Sequence, residues 1–376
     1  MVAHNRTLLA VLATVALTAA FQAVEVCGWG CVGHMLVAEI ARRRLDEANA
    51  QKMNAMAHNF HESGPFPWSP DVVQAACWAD DAKQWHQYAM RSWHFIDTPY
   101  NPENITIDVP LEAVNAVTVS ANMITALKNV KAPLYMLNFA WVNLVHFIGD
   151  LHQPLHAAAM YSHKFPHGDR GGNAIEVKVK GAAVKLHALW DDICDVPAPH
   201  YRRPLSDTDT FALAATADRL EDTYKFPSSL RTLPDPQVMA DESHEFAVNS
   251  SYDGVVPGAE LGTEYMRRCK EVAEGRITLA GYRLGYLLNE LLKNINVGEM
   301  AMSAYRKHAR CDANKQLARP IGSQFRFREV LTVERKVYEH EDEEGDGTVL
   351  SREETVREVR GNRDRKDGDV TWQTDL

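Results

Sequence analysis

Two pairs of histidine and aspartate, each four residues apart, are the parts of this sequence with the clearest chemical potential. His146 and Asp150 form one pair, and His187 and Asp191 form the other. On a helix, side chains four residues apart lie on one face, one turn from each other. Imidazole and carboxylate groups are common zinc ligands. Together with His156, the two pairs therefore indicate a site for several metal ions.

Three further candidate ligands lie earlier in the chain, and each also has an ordinary structural interpretation. His34 could cap a helix or lie on the surface, and Asp80 could begin a helix. His94, between Trp93 and Phe95, could be a buried, hydrogen-bonded histidine. Taken singly, each residue fits the structural interpretation better. Taken with the two pairs, they predict a metal cluster built from distant parts of the chain.

The spacing of apolar residues predicts a mainly α-helical chain between residue 33 and about residue 293. The predicted helices cover residues 35–45, 114–130, 134–151, 207–224, 238–248, 259–273 and 277–292. Pro154 is expected to close the helix of His146, because proline cannot donate the next backbone hydrogen bond. Alternating apolar residues over 174–179, followed by Gly181, predict a small β-hairpin that leads into His187.

The composition allows a sizeable core but excludes a generally basic nucleic-acid-binding protein. Hydrophobic residues make up 45% of the 376 residues, and the formal net charge is -10. Any positive charge that faces a phosphate substrate must therefore be local, and bound metal could supply it.

Residues 1–28 are typical of a secretory signal peptide. An apolar run over 8–21 is followed by Val26 and Gly28, small residues suited to a cut before Trp29. The alternative is an uncleaved anchor, but the run is short for a membrane span of about 20 residues. We expect a mature chain without a transmembrane segment, either secreted or in an organelle lumen.

The six cysteines fit an oxidising compartment. Cleavage before Trp29 removes Cys27 and leaves five, enough for two disulfides and one free thiol. Pairing Cys31 with Cys77 and Cys194 with Cys269 is one possible connectivity, and the sequence does not decide between the possibilities. No CxxC pair is present, which argues against a cysteine zinc site.

Seven motifs, in order along the chain, resemble those of the zinc-dependent class I nucleases. This family contains single-strand-specific nucleases and 3′-nucleotidases and is distantly related to bacterial zinc phospholipase C. The motifs are Trp29-Gly-x-x-Gly-His34, Trp78-Ala-Asp80, His94-Phe-Ile-Asp97, His146-Phe-Ile-Gly-Asp150, Gln153-Pro-Leu-His156, Gly171-Gly-Asn173 and Leu186-His187-x-x-Trp190-Asp191. The resemblance covers residues 29 to about 293 and, as a set of motifs, is highly specific. It implies a single helical domain of the phospholipase C and single-strand nuclease type, with a small β-hairpin.

The resemblance also implies three zinc ions per chain. One ion would be held by Asp80, His94, His146 and Asp150, a second by His156, His187 and Asp191, and a third by the amino group and carbonyl oxygen of Trp29 with His34 and Asp150. An α-amine can ligate zinc only after the preceding peptide bond is cut. The implied third site therefore depends on removal of the signal peptide.

The implied chemistry is hydrolysis of a phosphate ester, in which a metal-bound hydroxide attacks phosphorus. Asp80 and Asp150 would act as catalytic residues by holding the metal ions. Lys83 follows Asp80 by three residues, where relatives commonly have arginine that supports the phosphate charge. Lysine keeps the charge but lacks the bidentate fork of arginine.

The nucleotide pocket of the family is implied at Phe95, Asp97 and Asn173. Phe95 could stack on an unpaired base, and Asp97 could accept a hydrogen bond from a base edge. The alternative is a core phenylalanine and an aspartate that caps a turn. The interval between His156 and Gly171 is longer than in the simplest family members, and its basic residues, which include Arg170, could contact phosphate or form a solvated insertion.

The resemblance, together with the predicted signal peptide, implies a secreted enzyme that cleaves single-stranded RNA and DNA and dephosphorylates 3′-nucleotides, with no obligate protein partner. A phospholipase C-like lipid phosphodiesterase and a non-catalytic zinc-binding protein are the alternatives. Phe95 and Asp97 argue against a lipid substrate, and ligand sets with room for water argue against simple storage. A di-iron helical bundle is disfavoured because its paired Glu-x-x-His pattern is absent.

The predicted boundaries give a nuclease domain over 29–311 and a charged tail over 312–376. The tail has few large apolar residues and is expected to be disordered, with a short helix considered at 351–360. Asn104 and Asn249 begin glycosylation sequons, which fits secretion.

Overall fold

The computed structural model describes residues 29–298 except 65, 85–87 and 234, and also the backbone of three strands near the carboxyl end. Helices dominate the first of these regions, which confirms the predicted fold class. The helices are α1 (Cys31–Arg42), α2 (Glu47–Glu62), α3 (Val72–Ala75), α4 (Trp78–Gln84), α5 (Ala116–Lys128), α6 (Leu134–Asp150), α7 (Leu186–Asp191), α8 (Asp207–Thr223), α9 (Ser228–Arg231), α10 (Pro236–Phe246) and α11 (Thr263–Leu292). Two 3₁₀ turns, Tyr88–His94 and Pro154–His156, and a π-helical turn, Ala247–Ser251, complete the helical elements.

Helix α6 is apolar on nearly all sides and packs against several other helices. It therefore lies at the centre of the fold. Its polar residues are buried too, and a buried polar group needs a partner. Asn138 has two partners, Asn59 at 2.7 Å and Trp141 at 3.1 Å. His146 and Asp150, near the other end of the helix, face side chains that come from elsewhere in the chain.

Helix α11 runs along α1 as one continuous helix of 30 residues. The separate helices expected at 259–273 and 277–292 are therefore wrong. Gly275 lies at the expected break, and glycine destabilises a helix by roughly 1 kcal/mol relative to alanine. Its neighbours Glu274 and Arg276 form ion pairs with residues of α8 and α10, and these tertiary contacts keep the helix continuous at Gly275.

The strands of the described domain form two small sheets. Strand β1 (Pro99–Tyr100) pairs in parallel with β2 (Ala159–Met160), and β3 (Glu176–Val179) pairs antiparallel with β4 (Ala182–Lys185). The second pair is the predicted hairpin, in which Val177 and Val179 are buried. Strand β4 leads directly into α7, which carries His187 and Asp191.

Both disulfides considered from the sequence are formed, Cys31–Cys77 and Cys194–Cys269. The first ties the start of α1 to the start of α4. The second ties the segment after α7 to α11.

The described part of the tail consists of strands β5 (Glu329–Glu341), β6 (Thr348–Asn362) and β7 (Thr371–Thr374), paired antiparallel in that order. The short helix considered at 351–360 is wrong, because these residues belong to β6 and pair with β5 along its length. The rest of the tail and the predicted signal peptide, 1–28, lie outside the described residues. The expected disorder is wrong for the residues of these three strands, and for the rest of the tail it stays a prediction. None of the described helices has both the length and the hydropathy that a membrane span requires.

Candidate metal centre

Eight histidine and aspartate side chains from six segments meet beside α6, and all eight are buried. They are His34 from α1, Asp80 from α4, His94 from the first 3₁₀ turn, His146 and Asp150 from α6, His156 from the second 3₁₀ turn, and His187 and Asp191 from α7. These are the eight side chains that the sequence singles out as metal ligands. Because they are far apart in sequence, only the tertiary fold brings them together.

The eight side chains form three groups, and within each group one nitrogen or oxygen atom per residue lies within 4.8 Å of the others. The groups are His34, His146 and Asp150; Asp80, His94 and His146; and His156, His187 and Asp191. The third group has the same members as the second zinc site expected from the sequence. The first two share His146, as neighbouring sites would.

Asp150 lies between the groups and contacts all of them. Its Oδ2 is 3.0 Å from Nδ1 of His94 and 3.2 Å from Nε2 of His146. Its Oδ1 is 3.3 Å from Nε2 of His34 and 3.6 Å from Nδ1 of His156. One carboxylate with both oxygens directed at different groups has the geometry needed to bridge two cations.

Three of the imidazoles are oriented by backbone carbonyl groups. The Nδ1 atom of each donates a hydrogen bond: His146 to Ala76 at 2.7 Å, His156 to His94 at 2.5 Å, and His187 to Gly171 at 2.5 Å. Donation from Nδ1 leaves the Nε2 lone pair available, which is the usual arrangement around a histidine that binds a metal.

Two glycines allow the close approaches that the centre requires. Gly171 has φ +59°, and a Cβ atom there would lie 2.2 Å from the carbonyl oxygen of Leu155. Only glycine can therefore place its carbonyl oxygen against His187. A Cβ atom on Gly149 would lie 2.8 Å from Nδ1 of His34, so a larger residue in α6 would displace this imidazole.

Several buried atoms of the centre have no hydrogen-bond partner among the described residues. They are Nδ1 and Nε2 of His34, Nε2 of His94, Oδ1 of Asp150, Nε2 of His156 and Oδ2 of Asp191. Buried polar atoms are rarely left unmatched in folded proteins, and a bound cation would satisfy such atoms. Imidazole and carboxylate groups are the donors that suit zinc, so the residues present fit such a cation.

Burial keeps most of the imidazoles uncharged. It lowers the pKa of His34 to about 4, and it lowers the pKa values of His94 and His187 to about 3. Neutral imidazole is the form that binds metal. Near neutral pH, these three side chains are therefore ready to act as ligands.

The carboxylates of Asp150 and Asp80 favour positive charge in the centre. Burial tends to lower the pKa of His146, but the carboxylates of Asp150 and Asp80 outweigh it and raise the pKa to about 10. In the absence of a cation, the proton on His146 therefore offsets the negative charge of Asp150 and Asp80, which a bound cation would also offset. Burial also raises the pKa of Asp191 well above its ordinary value.

Lys83 lies at the edge of the centre. Its Nζ is 2.8 Å from Oδ1 of Asp80, and both side chains are nearly buried. Burial by itself would raise the pKa of Asp80, but the nearby charges of Lys83 and His146 hold it well below its usual range. Lys83 thereby brings positive charge directly beside a predicted metal ligand.

The residues expected to bind a nucleotide lie on one side of the centre. The backbone between Phe95 and Asp97 is tied to His156, whose carbonyl oxygen accepts a hydrogen bond from Ile96 at 2.7 Å. Phe95 and Asp97 are both partly exposed. Burial, with the nearby charges of Asp169 and Glu112, raises the pKa of Asp97 to about 6.

The Gly-Gly-Asn loop lies beside Asp97. Arg170 is exposed, and its charge counteracts part of the increase in the pKa of Asp97. Asn173 is partly exposed and donates a hydrogen bond from Nδ2 to the carbonyl oxygen of Arg170 at 2.9 Å. The four side chains expected to contact substrate are thus divided between two adjacent segments.

Trp29 is completely buried beside the centre. The next residue, Gly30, donates a backbone hydrogen bond to the carbonyl oxygen of Asp191 at 2.8 Å. The Cβ position of Gly149 is 3.7 Å from Cδ1 of Trp29 and 2.8 Å from His34. The start of the described domain therefore lies among segments that carry three of the predicted ligands.

Gln153 lies in one of the motifs quoted above, but the sequence alone assigns it no role in the centre. It is completely buried, and its Nε2 donates a hydrogen bond to Oδ1 of Asp191 at 2.6 Å. The available signal was its place between Asp150 and His156 in a closely spaced motif. The neighbouring His152 does not join the centre, because its ring contacts Ile148 and Arg283 instead.

Comparison with known proteins agrees with this geometry. The family model described as S1/P1 Nuclease matches residues 29–293. The chain is 27% identical to Endonuclease 2 of Arabidopsis thaliana over 302 residues, which cover 77% of this chain and 99% of that protein. It is also 27% identical to Nuclease S1 of Aspergillus oryzae over 282 residues, which cover 70% of this chain and 91% of that protein. A third relative, Nuclease P1 of Penicillium citrinum, is 29% identical over 176 residues, which cover 43% of this chain and 57% of that protein. With eight buried ligand candidates inside the matched region, the chain belongs to the S1/P1 nuclease family.

Proposed function

We propose that this chain is a secreted, zinc-dependent nuclease that cleaves single-stranded RNA and DNA and also releases phosphate from 3′-nucleotides. The observation that carries the proposal is the convergence of three buried His/Asp groups around Asp150 in a member of a nuclease family. The unmatched atoms of these groups support a cluster of divalent cations rather than an ordinary polar core.

Three zinc ions would be held by the residues of the three groups, with Asp150 shared between two of them. Trp29 would add its α-amine and carbonyl oxygen to the site of His34 once the signal peptide is removed. When bound, zinc supplies Lewis acidity and lowers the pKa of a water ligand from about 15.7 to roughly 7. Its charge also offsets the negative charge of a phosphate diester.

The chain's own residues would bind and orient the substrate. Lys83 would place a positive charge beside the phosphate, next to Asp80. Phe95 would stack on a nucleobase, and Asp97 would accept a hydrogen bond from its edge. Stacking on a protein side chain requires a base that is free of the duplex. This requirement supports the preference for single strands.

Arg170 and Asn173 would form the rim of the nucleotide pocket. Their position beside Asp97, on a loop held to His187 through Gly171, supports this role. Passage through the secretory pathway is supported by two disulfides and by the exposure of both sequon asparagines, Asn104 and Asn249.

The test is an assay of purified protein whose amino-terminal residue has been identified by sequencing. We expect hydrolysis of 3′-AMP and of single-stranded polynucleotides, loss of both activities on chelation, and recovery with zinc. Hydrolysis of phosphatidylcholine without either nucleotide activity would indicate a phospholipase C-like enzyme instead. Tight zinc binding without hydrolysis of any of the three substrates would indicate a non-catalytic zinc protein.

A further inference from the structure

The face of α6 that carries two predicted metal ligands continues toward the beginning of the helix. Phe139 precedes His146 by two turns, which places the two side chains within about 20° of each other around the helix axis. Tyr135 lies one turn further out on the same side. The distance along the axis from His146 to Phe139 is about 10 Å. The outer part of this face therefore lies close to the centre.

This outer part is apolar and exposed. Tyr135 is 72% exposed, Met136 is 44% exposed and Phe139 is 38% exposed. We call these three residues the aromatic stripe, after the two aromatic side chains that flank Met136 on this surface. Tyr88, on the adjacent 3₁₀ turn, is also 53% exposed. Large apolar side chains grouped on a surface commonly mark a binding site.

The aromatic stripe is joined to the metal centre by ring contacts. The ring of Phe139 is 6.2 Å from the ring of Trp78 and also 6.2 Å from the ring of Trp93. Trp93 is followed directly by His94, and Trp78 is two residues before Asp80. The stripe thus contacts two of the segments that carry predicted ligands.

The charge of α5, of α6 and of the segment that contains Tyr88 suits a polyanion. Residues 82–96 and 113–149 contain no aspartate or glutamate, although the whole chain has a net charge of -10. These two segments instead contain Lys83, Arg91, Lys128 and Lys131, of which the last three are exposed. A strand of nucleic acid that passes over α5 and α6 would therefore meet aromatic rings and basic side chains without acidic ones from these segments.

We propose that the aromatic stripe is a stacking subsite for single-stranded nucleic acid, which binds bases of the substrate strand outside the nucleotide held at Phe95. The proposal rests on the proposed nuclease function. Stacking on aromatic rings tolerates any base and needs bases that are not paired. The subsite would raise the affinity for polynucleotides over that for single nucleotides.

The experiment compares binding of a short single-stranded oligonucleotide with phosphorothioate linkages, which resists cleavage, with turnover of 3′-AMP by the zinc-loaded enzyme. Tyr135→Ala should raise the Kd for the oligonucleotide about tenfold, as expected for the loss of one stacking contact. Tyr135→Phe keeps the ring and should restore tight binding. Tyr286→Ala, a change to an exposed aromatic residue on α11, is the matched control and should bind like the wild type.

Phe139→Ala should also raise the Kd for the oligonucleotide, and the thermal midpoint of this variant should be measured as well because the ring also packs against two tryptophans.

The ratio of oligonucleotide affinity to 3′-AMP turnover is the decisive quantity. An unchanged Kd in Tyr135→Ala would overturn the subsite. A change from dimer to monomer in this variant, with unchanged oligonucleotide binding, would assign the stripe to a second copy of the chain and also overturn it. If the wild type hydrolyses neither 3′-AMP nor polynucleotides, the proposed function itself fails, and this result is distinct from failure of the subsite alone.

Discussion

Gln153 binds one oxygen of the Asp191 carboxylate, and the other oxygen faces His187. Its Nε2 donates to Oδ1 of Asp191 at 2.6 Å, while its Oε1 accepts a hydrogen bond from the backbone of Leu155 at 2.5 Å. The second bond fixes the direction of the amide, because only the oxygen can accept. Oδ2 of Asp191 has no hydrogen-bond partner among the described residues, and it lies 3.5 Å from Nε2 of His187, another member of the third His/Asp group.

Removal of this amide should therefore loosen one metal site. We expect Gln153→Ala to weaken zinc binding at the group of His156, His187 and Asp191 by about 10–100-fold, the usual effect of losing a residue that orients a ligand. Zinc content after dialysis against a graded series of chelator concentrations measures this change. Gln74→Ala is a close control, because Gln74 also donates to a carboxylate and accepts from a backbone N–H, but outside the centre. Equal zinc retention in the two variants would rule out the orienting role.

Replacement of Asp150 should affect more than one metal ion. Asp150→Asn keeps the size of the side chain but removes its negative charge, and both oxygens of Asp150 contact imidazoles from different groups. We expect the variant to lose most activity and more than one zinc ion per chain. Metal analysis of folded protein checks the second part. Near-normal turnover would contradict the proposed shared ligand.

Phe95 offers a test of the nucleotide pocket that leaves the metal ions in place. Phe95→Ala should raise KM for 3′-AMP about tenfold, since one base-stacking contact is worth about 1–3 kcal/mol. Zinc content should stay unchanged, and Phe95→Trp should keep most of the affinity. The idea fails if KM is unaffected or if zinc is lost in parallel with binding.

The pH dependence of substrate binding should report on Asp97. Its pKa is raised to about 6 by burial and by the nearby Asp169 and Glu112, so the carboxylate is ionised only above this pH. We expect KM for nucleotides to fall as the pH rises through about 6, because the ionised group is the better acceptor. Asp97→Asn should flatten this step in a KM–pH profile.

The raised pKa of Asp97 also affects folding stability, which should fall with rising pH while nucleotide binding improves. An acid with a raised pKa binds its proton more tightly in the folded state, so Asp97 stabilises the fold at low pH. This contribution is lost as the pH rises from about 4, the value for an unfolded chain, through about 6. In Asp97→Asn, thermal midpoints on the two sides of this range should differ less than in the wild type.

The disulfides should influence metal retention because of where they lie. Three of the four half-cystines are three residues from a predicted ligand: Cys31 from His34, Cys77 from Asp80, and Cys194 from Asp191. We expect the double change Cys31→Ala with Cys77→Ala to lower stability by about 2–4 kcal/mol and to speed the loss of zinc to a chelator. Chemical denaturation and the chelation rate measure the two effects. An unchanged chelation rate in destabilised protein would separate the disulfide from the metal centre.

Elements whose structure is decided by a local pattern can be predicted from the sequence. The predicted end of helix α6 is within one residue of the observed end, since its apolar run is bounded by Pro133 and is followed by Pro154. Alternation of apolar residues predicts the hairpin before α7. The predicted helices do not include α2, although Asp46 caps it and Met53, Met56 and Phe60 share its buried side.

The remaining errors concern contacts between distant residues. Nothing near Gly275 in the sequence shows that ion pairs from two other helices carry α11 through that position. Gln153 stands in a recognisable motif, but its contact with Asp191 could not be predicted because the two residues are 38 positions apart. By contrast, the eight side chains of the candidate metal centre could be named from the sequence, because the two His/Asp pairs share one spacing and the other four residues lie in motifs that resemble those of a known family.

The burial of Trp29 has a practical consequence for anyone who produces this protein. If the freed amine of this residue helps to hold a cation, extra residues left at the amino end would block assembly of the centre even when the rest of the chain is correctly folded. Purification tags should therefore be attached at the carboxyl end, and the leader must be one that the host removes at the right bond. The same requirement would keep a newly made chain harmless to the transcripts of the cell that synthesises it until processing is complete.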